Sequence, residues 1–174
     1  MGGGGNETSF VVLPFSVDST LPTAQDRMPD DIGGSRPQGD GSGIPERSIT
    51  LDMQMGMGMM MRRASNRFSI NGDAFDMDTI NFEIPRGTVE RWKITADMMM
   101  HPFHVHGVSF QVLSQGGRSP TTQNTGWKDT VLVDGSAELL VRFDHGASNE
   151  TPFMYHCHIL EHEDGGMMGQ FSVG

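Results

Sequence analysis

A single cysteine, Cys157, stands in this sequence of 174 residues, so no internal disulfide can form. That leaves the thiol as buried filler, nucleophile or metal ligand. Basic residues are few, 12 Lys and Arg against 22 Asp and Glu, for a formal charge of −10. That balance argues against nucleic acid and against anionic membrane surfaces as partners. No run of eighteen apolar residues occurs, which excludes a membrane-spanning helix. A basic-then-apolar start is missing too, so the chain as given carries no signal peptide. Sustained helical periodicity is absent. What is abundant is Gly (23) and Pro (9), a composition suited to a loop-rich β protein.

The histidines are concentrated. Six of the seven fall in two short stretches, His101-Pro102-Phe103-His104-Val105-His106-Gly107 and Tyr155-His156-Cys157-His158-Ile159-Leu160-Glu161-His162; only His145 lies outside. The second stretch continues through Glu163, Asp164, Gly165 and Gly166 to Met167, ten residues past the cysteine. Two histidines, a cysteine and a weak axial methionine are the donor set of a blue (type 1) copper site. Cys157, His162 and Met167 offer three of those four donors, and the first cluster offers the missing histidine. Zinc is the competing reading, but closed structural zinc sites favour several cysteines over one thiolate among six histidines. On an extended strand, His104 and His106 share one face, as do His156 and His158, with Cys157 pointing the other way. One dipeptide step then joins the two sides of a strand.

The paired motifs resemble the C-terminal cupredoxin domain of bacterial multicopper oxidases, in particular the methionine-rich cuprous (copper-efflux) and laccase-like group. The likeness runs from about Ile49 to the C-terminus and covers the last third of a three-domain enzyme. It implies an all-β, Greek-key β-sandwich of cupredoxin type. It implies His101, Cys157, His162 and Met167 as type 1 copper ligands, with Met168 the competitor for the axial position. It further implies His104 on a type 2 copper, and His106, His156 and His158 on a type 3 pair. The remaining ligands of such a three-copper cluster come from another domain in these enzymes, so this chain should hold the electron inlet and half of the oxygen site. Asp97 and Met99 match residues of a substrate Cu(I) site in the family; against that stands a polar turn with core methionines. Glu163 matches a proton relay to reduced oxygen, and a carboxylate suits that task; the competing reading is a solvated loop acid.

Along the chain, residues 10–17 read as a short strand interrupted by Pro14, and residues 18–47 have linker composition. Residues 1–47 thus resemble the closing strand of a preceding domain plus a linker, with the cupredoxin domain over 48–174, as in a fragment or truncated gene product. Strands are expected at 47–53, 80–84, 88–95, 108–113, 130–133, 138–143, 153–158 and 170–173, with a turn at Asn71-Gly72. Six methionines between Met53 and Met61 suggest either a flexible thioether arm that gathers Cu(I) or plain disorder.

The leading expectation is a copper-binding domain of an oxidase that takes electrons from Cu(I) or phenol-like donors and reduces O₂ to water. A stand-alone blue-copper electron carrier is the second reading. An oligomer that completes the cluster with a second copy of itself is the third. The resemblance implies an exported protein, periplasmic or extracellular.

Overall fold

In this computed structural model, residues 14, 16, 18–21, 43–53 and 68–174 are described. Most of the expected strand at 10–17, most of the linker and the methionine run past Met53 lie outside the described residues. The chain divides into two units, Met1–Ser35 and Arg36–Gly174. In the first, the Asp18 carboxylate accepts hydrogen bonds from the Thr20 amide and hydroxyl, closing a turn. The second holds the sandwich.

Alternation of buried and less buried positions is clearest in the strands at Val89–Ala96 and His101–Val105. The strands are β1 (Glu46–Met53), β2 (Phe68–Ile70), β3 (Phe82–Ile84), β4 (Val89–Ala96), β5 (His101–Val105), β6 (Ser109–Gln115), β7 (Trp127–Lys128), β8 (Thr130–Val133), β9 (Ser136–Arg142), β10 (Phe153–Cys157) and β11 (Met168–Val173). Among the described residues, one short α-helix occurs, α1 (Leu160–Asp164), between β10 and β11. Two sheets form, ordered β2-β1-β4-β9-β6-β7 and β3-β11-β10-β5-β8. Trp92, Phe103, Phe110, Phe143 and Phe171 fill the space between them. This is the expected all-β sandwich.

β4 shows how period two resolves a charge. Glu90 shares the buried face with Trp92 and Ile94. Its carboxylate accepts two hydrogen bonds from the Arg47 guanidinium, both 2.8 Å, and one from the Trp92 indole at 2.8 Å. A buried carboxylate so paired is satisfied, and it ties β1 to β4.

One expectation needs correction. Residues 80–81 are not strand: Asn81 caps the sheet edge instead, its side-chain oxygen accepting the Gln170 amide at 2.8 Å. And although sustained helical periodicity is absent from the sequence, the loop after Cys157 contains α1, whose glycine C-cap turns the chain back into β11.

Candidate metal centre

The register between β5 and β10 organises the site. Phe103 pairs with Cys157, and His104 pairs with His156. Directly paired residues share a face and successive residues alternate. So Cys157 points into the sandwich with Phe103, while His104 and His156 lie together on the opposite face of the five-stranded sheet.

On the inner side, His101 and His162 join Cys157. His101 opens β5 and His162 sits in α1; all three are buried. Cys157 Sγ lies 3.4 Å from Nδ1 of each imidazole, and the two Nδ1 atoms are 3.3 Å apart. A triangle with those sides has its centre about 2 Å from each corner, close to the roughly 2.0–2.3 Å bonds that imidazole and thiolate make to a first-row ion such as zinc. The donors therefore fit a metal, and the mixture of two imidazoles and one thiolate suits copper. Met167, fully buried, is fastened to the same loop: its amide donates to the His162 carbonyl at 2.9 Å and its carbonyl accepts the Cys157 amide at 3.2 Å.

Burial tunes these groups. It lowers the pKa of His101, helped by the nearby His162, and lowers that of His162. It raises that of the Cys157 thiol. Neutral imidazoles with free lone pairs result, beside a thiol that gives up its proton only in exchange for a cation. The His162 ring stacks on Phe68 at 4.4 Å. That contact was not legible in sequence, because Phe68 is 94 positions away, on the β2 edge strand. It also explains Gly165, where a Cβ would come within 2.3 Å of the Phe68 ring.

On the outer face, His104, His106 and His156 bring ring nitrogens within 4.8 Å of one another. His106 and His156 approach Nε2 to Nε2 at 3.2 Å. His156 Nδ1 is 3.1 Å from the Cys157 carbonyl and 3.4 Å from Glu163 Oε2. Both are acceptors, so Nδ1 carries the proton and Nε2 faces its neighbours with a lone pair. His158 is exposed, with its ring 5.4 Å from that of His156 and 5.7 Å from that of His104. It stands beside the tight group of three rather than within it. His106 sits just past β5, where Gly107 turns with φ 67° beneath the Phe153 ring; a Cβ there would meet that ring at 2.3 Å.

Asp97 and Met98 to Met100 form the β4–β5 turn. The three methionines are 46–63% exposed, which rules out core packing for them. Met98 adopts φ 71°, and the Met99 amide donates to the Asp97 carbonyl at 2.8 Å. Asp97 bears on His101 through its main-chain carbonyl, which favours the protonated ring without making a well-formed hydrogen bond: His101 Nε2 is buried without one. His145, outside both sequence clusters, lines a surface cleft together with His104, His106, Asp129 and Phe153. Position in the fold, not spacing in the chain, brings it there.

The multicopper oxidase family profile matches residues 46–174. This chain belongs to the multicopper oxidase family. Relatives include the cell division protein FtsP of Photorhabdus laumondii, 42% identical over 166 residues, with 93% of this chain and 31% of that protein covered. FtsP of Escherichia coli is 34% identical over 165 residues, covering 95% and 32%. Among solved structures, the laccase-like multi-copper oxidase CueO of Ochrobactrum sp. superposes with a TM-score of 0.78 at 41% identity, over 90% of this chain and 36% of that one. A metallo-oxidase from Campylobacter jejuni gives 0.68 at 29%, over 86% and 33%. The chain thus spans about a third of the multicopper oxidase-like proteins it matches. The family implies copper, and the cupredoxin sandwich is common to these neighbours. No described helix is long and apolar enough to cross a membrane.

Proposed function

We propose that this chain is the electron-accepting cupredoxin domain of a copper oxidase, with His101, Cys157, His162 and Met167 as a type 1 copper site. The observation that carries the reading is the triangle of Sγ and two Nδ1 atoms at 3.3–3.4 Å, buried beside Met167. Copper in such a site supplies a one-electron couple with little change of geometry. The residues do the rest. Cys157 would hold that copper, and its own carbonyl holds His156, so one peptide unit would link the inner thiolate to the outer histidines as the path for an electron. His104 would serve a type 2 ion, and His106, His156 and His158 a type 3 pair, in a cluster where O₂ takes four electrons and four protons to become two waters. Glu163, half-buried and 3.4 Å from His156, would hand over protons.

Four histidines cannot saturate such a cluster, so its other half would come from further domains of the parent or from a second copy of this chain. Residues 1–47 fit the closing strand and linker of a preceding domain. The exposed Asp97–Met100 turn, with Asp97 and Met99, suits a Cu(I) donor, since thioethers favour the cuprous ion. Phenolic donors are the other candidate: the Ochrobactrum enzyme is described as active towards lignin model compounds and lignosulfonate. The family resemblance supports an exported protein, periplasmic or extracellular.

The FtsP relatives favour a second reading, a cell-division protein built on the same fold. Anaerobic mixing of the copper-loaded chain with Cu(I) or a phenol separates the two. The oxidase-domain reading expects stoichiometric bleaching of a thiolate-to-copper band, recovered with ferricyanide. A loaded chain that never changes colour on reduction, or a chain that takes up no copper, would favour the cell-division reading.

A further inference from the structure

The β5–β8 register pairs His104 with Thr130 across the sheet. His104 Nδ1 there faces two oxygens, the Asp129 carbonyl and Thr130 Oγ1, each at 2.9 Å. The Thr130 hydroxyl in turn donates to Asp129 Oδ1 at 3.0 Å. The Asp129 carbonyl also accepts the Val105 amide at 3.1 Å, so the sheet holds it in place.

These contacts bias the tautomer. A carbonyl only accepts, so it favours the proton on the Nδ1 atom that faces it, and a hydroxyl that also accepts there adds to the preference. The hydroxyl has spent its own hydrogen on the carboxylate and presents a lone pair to that same N–H. The opposite arrangement, with the hydroxyl donating to a bare Nδ1, would set a nitrogen lone pair against the carbonyl at 2.9 Å and leave the carboxylate without its donor. Nε2 of His104 is therefore left unprotonated. The partners of His156 differ, since its Nδ1 is held by the carbonyl of the next residue and by Glu163.

We propose that Thr130, oriented by the Asp129 carboxylate, is a positioning residue that locks His104 in the Nδ1–H tautomer and so keeps Nε2 available to a metal ion on the outer face. The tautomer stands independently; its bearing on metal affinity rests on the reading above, in which the outer histidines are ligands. Outer partners of this kind set ring orientation and ligand basicity, and their loss typically lowers metal affinity about 10- to 100-fold.

The test uses the full 174-residue chain before metal is added, with the ring nitrogens of His104 read by ¹⁵N NMR at a pH where the ring is neutral. The wild type and Thr130→Ser should show the Nδ1–H tautomer. Thr130→Val, isosteric and a good strand former, leaves the Asp129 carbonyl as the one acceptor of the pair and should show a larger Nε2–H population than the wild type. Zn²⁺ titration, followed on the His104, His106 and His156 resonances, should then give about 10- to 100-fold weaker binding in Thr130→Val, with wild-type affinity in Thr130→Ser and no change at the inner triad. An Nε2–H wild type, or a Thr130→Val chain with wild-type tautomer and Zn²⁺ affinity, overturns the proposal. If the tautomer contrast holds but no variant binds Zn²⁺ on the outer face, the positioning of His104 stands and the ligand role assigned to that face falls.

Discussion

Burial raises the pKa of Cys157, with the Glu163 carboxylate adding to it, and this has a pH consequence. Its bound form is the thiolate, whereas in the metal-free chain at neutral pH the thiol keeps its proton. Copper must displace that proton, so apparent affinity should rise about tenfold per pH unit until the thiol pKa is passed, then level off. Competitive chelator titrations between pH 6 and 9 measure this; a flat profile would mean that the thiolate is not a ligand. Cys157→Ser should fold, yet lose the intense visible band of the loaded protein. Met167 is fully buried, so Met167→Ala should cost about 2–5 kcal/mol of stability before metal is added. Met167→Leu, nearly volume-conserving, should cost less than about 1.5 kcal/mol. Urea unfolding of the metal-free variants reads both, and equal losses would show that Met167 does not fill its site.

The elements that matter most are β5, β10 and the helix that follows. Burial lowers the pKa of His101, His106, His156 and His162 below the usual imidazole value. Below a pH of about 6.5 the unfolded chain binds protons that these four refuse in the fold. Their contribution is present above that pH and is lost as pH falls, so metal-free stability should decline steeply from pH 7 to 5. Denaturant midpoints across that range check it; stability rising on acidification would contradict the burial of these rings. Gly107→Ala should destabilise by more than about 1 kcal/mol, because φ 67° and the Phe153 ring both oppose a Cβ. Much of this was legible in sequence. Alternation gave β4, and the histidine spacing gave the opposed directions of Cys157 and His156. α1 was not legible, since five residues are too few for helical periodicity to register. Nor were Phe68 and His145, or the Asp129 and Thr130 contacts to His104, which depend on strand order rather than on spacing.

For the whole molecule, the decisive feature is that one sandwich carries two groups of donors on opposite sides of one sheet, and the second is open. The chain covers about a third of its relatives' length. The most direct measurement is a copper count on the loaded, air-reoxidised chain, taken together with its visible and EPR spectra. The account predicts a tightly held copper with an intense thiolate band and the narrow hyperfine splitting of a type 1 site, both abolished in Cys157→Ser. A loaded chain with no thiolate band, or one whose band survives in Cys157→Ser, would contradict it.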